Sequence, residues 1–275
     1  MENLGLIKKY QVLKETPLGY MISYGKGEYF LHRSEVAFQK LRSEDVVEAF
    51  IYLDKKGRLA ATLHKPTITL NEIGFVKVTG VLKGIGVFID IGISKDILVS
   101  SDDLSNNPSN WPLLNDILLC KLIIKKGRLL AKPLFREELP INNTKLKNLD
   151  IVDATIIKIF RGGIHLVTND YHVIYVYEGD INQEIRLGKQ MKIKITGEDE
   201  LSYRGIFIAP SILDIKNLIL EYLKHNHGTM TITEKSNPEV IKKTFKVSKK
   251  VFKEAISRLY KEGKINLLPN KIILL

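Results

Sequence analysis

Up to Pro210 the chain consists of short runs in which apolar and polar residues alternate; beyond it, apolar residues recur at helical spacing. Period-two alternation bounded by Gly, Asp and Asn clusters predicts strands. Two stretches carry the pattern in matching form. LGYMISYGKGEYFLHRSEV (18–36) aligns with IGVFIDIGISKDILVSSDDL (85–104), setting Gly19 on Gly86, Gly25 on Gly92 and Leu31 on Leu98. After each comes a further apolar run and then Lys-Lys-Gly-Arg-Leu, at Lys55–Leu59 and Lys125–Leu129. A glycine at positive φ makes this motif the tip of a tight hairpin, so each copy closes a small β unit. A weaker third copy follows the polar connection at 140–149, with Gly163 where Gly86 stood and GEDE (197–200) as the tip of its closing hairpin. Five short strands with an irregular link after the third predict a five-stranded OB barrel.

After Pro210, Ile212, Ile215, Leu218, Ile219, Tyr222 and Leu223 form one helical face, closed by Gly228. Asn237 and Ser248 are N-caps of two further helices, Pro238 takes the first helical position, and Gly263 ends the last helix. KINLLPNKIILL adds two short strands around Pro269 and Asn270. Helix, strand, helix, turn, helix, hairpin is the order of a winged helix-turn-helix. The expected fold is therefore mainly β with a small α/β tail. Three tandem barrels span 1–65, 66–139 and 140–210, and a winged helix spans 211–275.

Composition changes this picture in one respect. Lys and Arg exceed Asp and Glu to give a net charge of +11 over 275 residues, which favours a polyanionic partner through counterion release. The single cysteine, Cys120, lies in the apolar run DILLCKLII and reads as a core residue. No run approaches the ~20 apolar residues of a spanning helix, and the N-terminus has no signal pattern. A cytoplasmic protein without a membrane partner is expected.

The second unit, VKVTGVLKGIGVFIDIGISKDILVSSDDL, resembles the ribosomal "S-one" (S1) RNA-binding domain. Three such units followed by a winged helix resemble the conserved virulence factor B family (CvfB), bacterial RNA-binding proteins. The resemblance implies aromatics flanking a glycine on the second strand, a histidine on the third, and an Asp and Arg at the last hairpin. The first unit keeps His32, Asp54 and Arg58, with Leu18 and Met21 in place of the aromatics. The second keeps Phe88 and Arg128, with Val99 for the histidine and Ile124 for the aspartate. The third offers only His165 at the aromatic position. It also implies post-transcriptional control of gene expression.

Such residues suit single-stranded RNA, because flat side chains stack bases while Lys and Arg follow phosphates. With His32 outward, alternation puts Phe30 beside it and turns Tyr29 and Leu31 inward; a one-residue slip would bury Phe30 instead. Arg58 is the expected cationic partner, and Asp54 either accepts from a base edge or orients Arg58. In the tail, Lys242, Lys243, Lys246, Lys249, Lys250 and Lys253 form either a phosphate-binding face, open to duplex nucleic acid as well, or a solvated helix surface. Modest affinities of tethered modules would add through effective concentration. Two rival classes fit the same residues: a DNA-binding regulator using the winged helix, and a protein-interaction scaffold. No Walker loop, zinc spacing or converging carboxylates occur, so no catalytic residue, metal, cofactor or small-molecule substrate is expected.

Overall fold

The computed structural model describes residues 3–37, 40–181, 183–208, 211–245 and 247–275. It divides into two compact units, Met1–Phe207 and Ile208–Leu275. The first holds three closed five-stranded barrels. One is made by β1 (Ile7–Thr16), β2 (Gly19–Tyr24), β3 (Gly27–His32), β4 (Val46–Leu53) and β5 (Leu59–Thr62). The next comprises β6 (Ile73–Leu82), β7 (Gly86–Asp90), β8 (Ile97–Ser100), β9 (Ile117–Lys125) and β10 (Arg128–Pro133). The third comprises β11 (Ile151–Phe160), β12 (Gly163–Val167), β13 (Val173–Tyr177), β14 (Gln190–Asp199) and β15 (Ser202–Phe207). Each barrel runs first-second-third-fifth-fourth, with the third and fifth strands parallel and a 3-10 turn after the third. This is the OB architecture that the strand pattern predicts.

Inward positions alternate as expected. Tyr10, Ile22, Leu31 and Ile51 fill the first barrel, Val78, Val87, Ile89 and Val99 the second, and Ile156, Ile164, Ile174 and Ile193 the third. Each second strand opens on a glycine for one steric reason. A Cβ on Gly19, Gly86 or Gly163 would stand 2.1, 2.0 or 2.2 Å from the carbonyl oxygen of Leu31, Val99 or Val176. Cys120 is buried in the second barrel, where burial pushes its thiol pKa up and keeps it protonated.

Register corrects three alignments made from sequence. Gly19 faces His32, whereas Gly86 faces Ser100. The second unit has one more residue between these positions, so Ser100, not Val99, occupies the histidine's place; Val99 is wholly buried. The Lys-Lys-Gly-Arg hairpins also differ. Leu53 faces Leu59 in the first, and Ile124 faces Leu129 in the second, so Lys125, not Ile124, stands where Asp54 does. The first loop has three residues and the second only two, Lys126 and Gly127, at φ 49° and 72°. Positive φ at both centres is the type I′ pairing; the longer loop closes instead on the Asp54 carboxylate. In the third barrel the hairpin tip is Glu200–Leu201, and Gly197 lies within β14 beside a bulge.

The barrels are packed on one another rather than strung on tethers. Leu4, Phe50 and Tyr52 of the first join the core of the second, and Tyr52 Oη lies 3.1 Å from Ser94 Oγ. The second and third share Leu119, Leu134, Ile157 and Val167, with Phe75 stacked on Tyr171. Arg186 donates to both oxygens of Asp116 at 2.6 and 2.9 Å, with only 19% and 9% of the two side chains exposed. A pair this buried fixes geometry, because separating it strands a charge.

The second unit comprises α1 (Ile212–His225), β16 (Thr229–Met230), α2 (Pro238–Phe245), α3 (Lys249–Lys261), β17 (Ile265–Leu268) and β18 (Lys271–Leu274). Ser211 and Asp214 form a capping box on α1, and Ser248 caps α3. Ile219, Leu223, Ile241, Phe245, Phe252 and Leu259 make its core, with Phe245 and Phe252 stacked at 4.9 Å. The sheet order β16-β18-β17 completes the winged helix. Among the described residues no helix is long and apolar enough to cross a membrane.

Candidate functional site

On the first barrel, alternation along β3 puts Phe30 and His32 on the outer wall, with ring centroids 6.2 Å apart and edge to face. His32 also has a local task. Its Nδ1 accepts from the Ser34 amide at 3.1 Å and lies 2.7 Å from Ser34 Oγ, capping the 3-10 turn. Ser100 caps the equivalent turn in the second barrel. Arg58 is tied to its own hairpin: its Nε and Nη2 donate to Asp54 Oδ2 at 2.8 and 2.7 Å. Asp54 Oδ1 accepts from the Lys56 and Arg58 amides at 2.8 and 2.9 Å. The Arg58 amide first, opposed by slight desolvation, and then the Arg58 side chain hold this carboxyl below the usual aspartate range. Asp54 therefore orients Arg58 and leaves no oxygen for a base edge.

The second barrel meets the first at this hairpin. Asp54, Lys55 and Lys56 line one side of a cleft of about 400 Å³; Phe88, Lys95 and Arg128 line the other. Asp54, read from sequence as part of the first unit's surface, thus shares one space with Phe88 and Arg128 of the second. Lys95, which sequence reasoning missed, donates from Nζ to the carbonyls of Leu53 and Asp54 at 2.7 and 3.0 Å. Burial holds its ammonium pKa below the ordinary lysine range, against the opposing charge of Asp54. Arg128 is exposed and, among the described residues, has no carboxylate partner.

The third barrel holds the largest surprise. Gly163 faces Tyr177 and His165 faces Tyr175, so Tyr175 and Tyr177 occupy the positions of Phe30 and His32. Phe160 lies 4.9 Å from His165 and stacks at 6.2 Å on Tyr175, whose hydroxyl donates to the Gly162 carbonyl at 2.7 Å. Arg204 pairs with Tyr175 across the parallel strands and reaches Asp199 at 3.4 Å. Burial, then the charges of Arg136 and Lys158, hold the His165 imidazole pKa below its ordinary value. Phe160 is 38% exposed and Tyr177 55%. The signal was the Tyr-x-Tyr alternation in HVIYVYEG, set at the same distance from Gly163 as Ser100 is from Gly86.

In the winged helix, Lys242 and Lys243 on α2 and Lys250 and Lys253 on α3 are exposed. Lys249 is half-buried and its ammonium donates to the Ser236 carbonyl at 3.0 Å. Lys246 lies outside the described residues. Arg258, on the same helix, is paired with Glu254 at 2.8 Å.

OB barrels in succession, followed along the chain by a winged helix, define a modular class built around S1-like domains. Family models match in that order: an S1 domain over residues 4–64, the CvfB first S1-like domain over 73–132, and the CvfB-like winged helix domain over 217–274. The chain belongs to the conserved virulence factor B family. It is 33% identical over 283 residues to Conserved virulence factor B of Staphylococcus aureus strain USA300, with 98% of this chain and 94% of the relative covered. It is 31% identical to the Bacillus subtilis protein YitL, covering 91% of this chain and 87% of that one. A crystal structure of a multidomain protein with nucleic acid binding domains from Streptococcus pneumoniae superposes with TM-score 0.65 and 26% identity, covering 100% and 99% of the two chains.

Proposed function

We propose that this is a non-enzymatic RNA-binding protein of the bacterial cytoplasm that controls gene expression after transcription. Its barrels meet single-stranded RNA, and the exposed lysines of the winged helix add phosphate contacts that a duplex can share. The observation that carries this reading is the outer wall of the third barrel, where Phe160, His165 and Tyr175 form a ring cluster, Arg204 pairs in register with Tyr175, and the exposed Tyr177 follows on the same face of β13. Exposed rings in a row stack bases at about 1–3 kcal/mol each, whatever the sequence. The S1 family models, the nucleic acid binding domains of the pneumococcal relative and the net charge of +11 support the same reading.

Anisotropy of a labelled single-stranded RNA with the full chain tests it. Affinity should fall roughly tenfold or more between about 50 and about 200 mM salt, as neutralised phosphates recover their counterions. Single-stranded RNA should bind more tightly than duplex DNA. A preference for duplex DNA favours a DNA-binding regulator, and salt-independent binding of a protein partner without RNA affinity favours a scaffold.

A further inference from the structure

Arg58 and Arg128 end the same four-residue motif in opposite states. Arg58 is tied to Asp54 by two hydrogen bonds, whereas the place of Asp54 in the second barrel belongs to Lys125, and Arg128 is left without an acid. That free guanidinium opens onto the cleft between the barrels. Phe88 supplies a half-buried ring on the same side, and the tip of the first barrel's hairpin brings Lys55 and Lys56 to the other. Lys95 fastens that tip through its bonds to the Leu53 and Asp54 carbonyls, so the two sides are held at a fixed separation. The charge balance favours an anion. Lys55, Lys56, Lys95 and Arg128 face Asp96 alone, since Arg58 already neutralises Asp54. A volume of about 400 Å³ suits a ligand of nucleotide size.

We propose that this cleft holds one nucleotide of a bound single-stranded RNA, with walls supplied by two different barrels. The base stacks on Phe88, Arg128 takes its phosphate through the fork geometry that guanidinium offers, and Lys55 and Lys56 take the next phosphate along. This deepens the RNA-binding reading and rests on it. It differs from a site on one barrel in a testable way: residues of the first barrel set the affinity of the aromatic on the second.

The test uses the full chain and a fluorescent oligouridylate of about eight nucleotides carrying one central 4-thiouridine, read by anisotropy and by peptide-mapped photocrosslinks. Phe88→Ala should weaken binding about tenfold, as loss of one stacked base does. Arg128→Gln, at an exposed position that leaves the core intact, should weaken it about fivefold or more, as should the double change Lys55→Ala with Lys56→Ala. Crosslinks should reach peptides containing both Phe88 and the 53–58 hairpin. If the oligomer binds but all three variants keep wild-type affinity, the cleft is not a site, although the RNA-binding reading stands. Sensitivity to Phe88→Ala with none to the lysine pair returns the site to the second barrel alone. Uridine monophosphate binding the cleft as tightly as the oligomer replaces the RNA strand with a free nucleotide as the occupant. An oligomer that does not bind the full chain at all overturns the RNA-binding reading itself.

Discussion

The first and third barrels share a backbone plan but not an outer wall. Both have a glycine opening the second strand, the same strand order and a 3-10 turn after the third strand. On the first, Phe30 and His32 stand with Met21, and His32 is engaged as a cap. On the third, the same positions carry Tyr175, Tyr177 and His165, reinforced by Phe160. Backbone contacts fix the glycines, while nothing in the closure of a barrel fixes what faces solvent. Three copies can therefore keep one fold and divide the recognition unequally.

The largest effects test the shared part. Gly86→Ala places a Cβ 2.0 Å from the Val99 carbonyl oxygen, with rigid backbone on both sides. We expect a loss of about 3 kcal/mol or more, read as a lowered midpoint in urea unfolding of the full chain. Gly84→Ala is the control. It has positive φ, at 79°, but no atom within 4 Å of the added carbon. It should cost only about 1 kcal/mol, from backbone conformation. Equal losses would mean that positive φ, rather than the carbonyl contact, selects the glycine in each copy.

Next come the walls. Replacing Tyr175 and Tyr177 together by Ala should weaken binding of single-stranded RNA by roughly tenfold to a hundredfold, as expected for one or two stacked bases. Replacing Phe30 and His32 together should cost roughly threefold, since one edge-on ring pair offers less flat surface and the cap is a local matter. Anisotropy with circular dichroism as the folding control separates the two variants. A larger loss from the first barrel would reverse the ranking drawn between the walls.

Much of the architecture was legible in the sequence because alternation and glycine spacing report on burial and sterics, which the chain writes locally. The strands, the helix caps at Asn237 and Ser248, and the inward turn of Tyr29 and Leu31 were all readable in this way. The errors came from single-residue differences in loop length. One extra residue ahead of β8 moved the histidine position from Val99 to Ser100, and one fewer in the second hairpin moved the aspartate position from Ile124 to Lys125. With a side-chain period of two, the first slip exchanges the wholly buried Val99 for an outer residue, whereas Ile124 and Lys125 are both exposed, so the second changes the chemistry of the position rather than its burial. Tyr175 and Tyr177 were missed because the third unit was matched by its weakest positions rather than counted from Gly163. Lys95 was beyond reach for another reason. Its role depends on two barrels packing together, and no local pattern announces that.

The smallest expected effect concerns the hairpin that distinguishes Arg58 from Arg128. Asp54→Asn keeps a side-chain oxygen for the Lys56 and Arg58 amides but removes the charge that holds the Arg58 guanidinium. Asp54→Ala removes both. Because the carboxylate pair is near the surface, solvent screening limits its worth. Asn should cost a few tenths of a kcal/mol and Ala about 1 kcal/mol. The sign of the pH dependence follows from the lowered carboxyl pKa. A folded pKa below the unfolded value of about 3.9 gives stabilisation that is complete above that value and lost as pH falls through the folded pKa. The stability gap between wild type and Asp54→Asn should accordingly narrow in acid, below about pH 4. Urea midpoints measured across that window, with the Asp54 carboxyl followed by NMR, decide it. A gap that stays constant into acid would assign the loop to its three-residue length alone and leave the carboxylate no part in tying down Arg58.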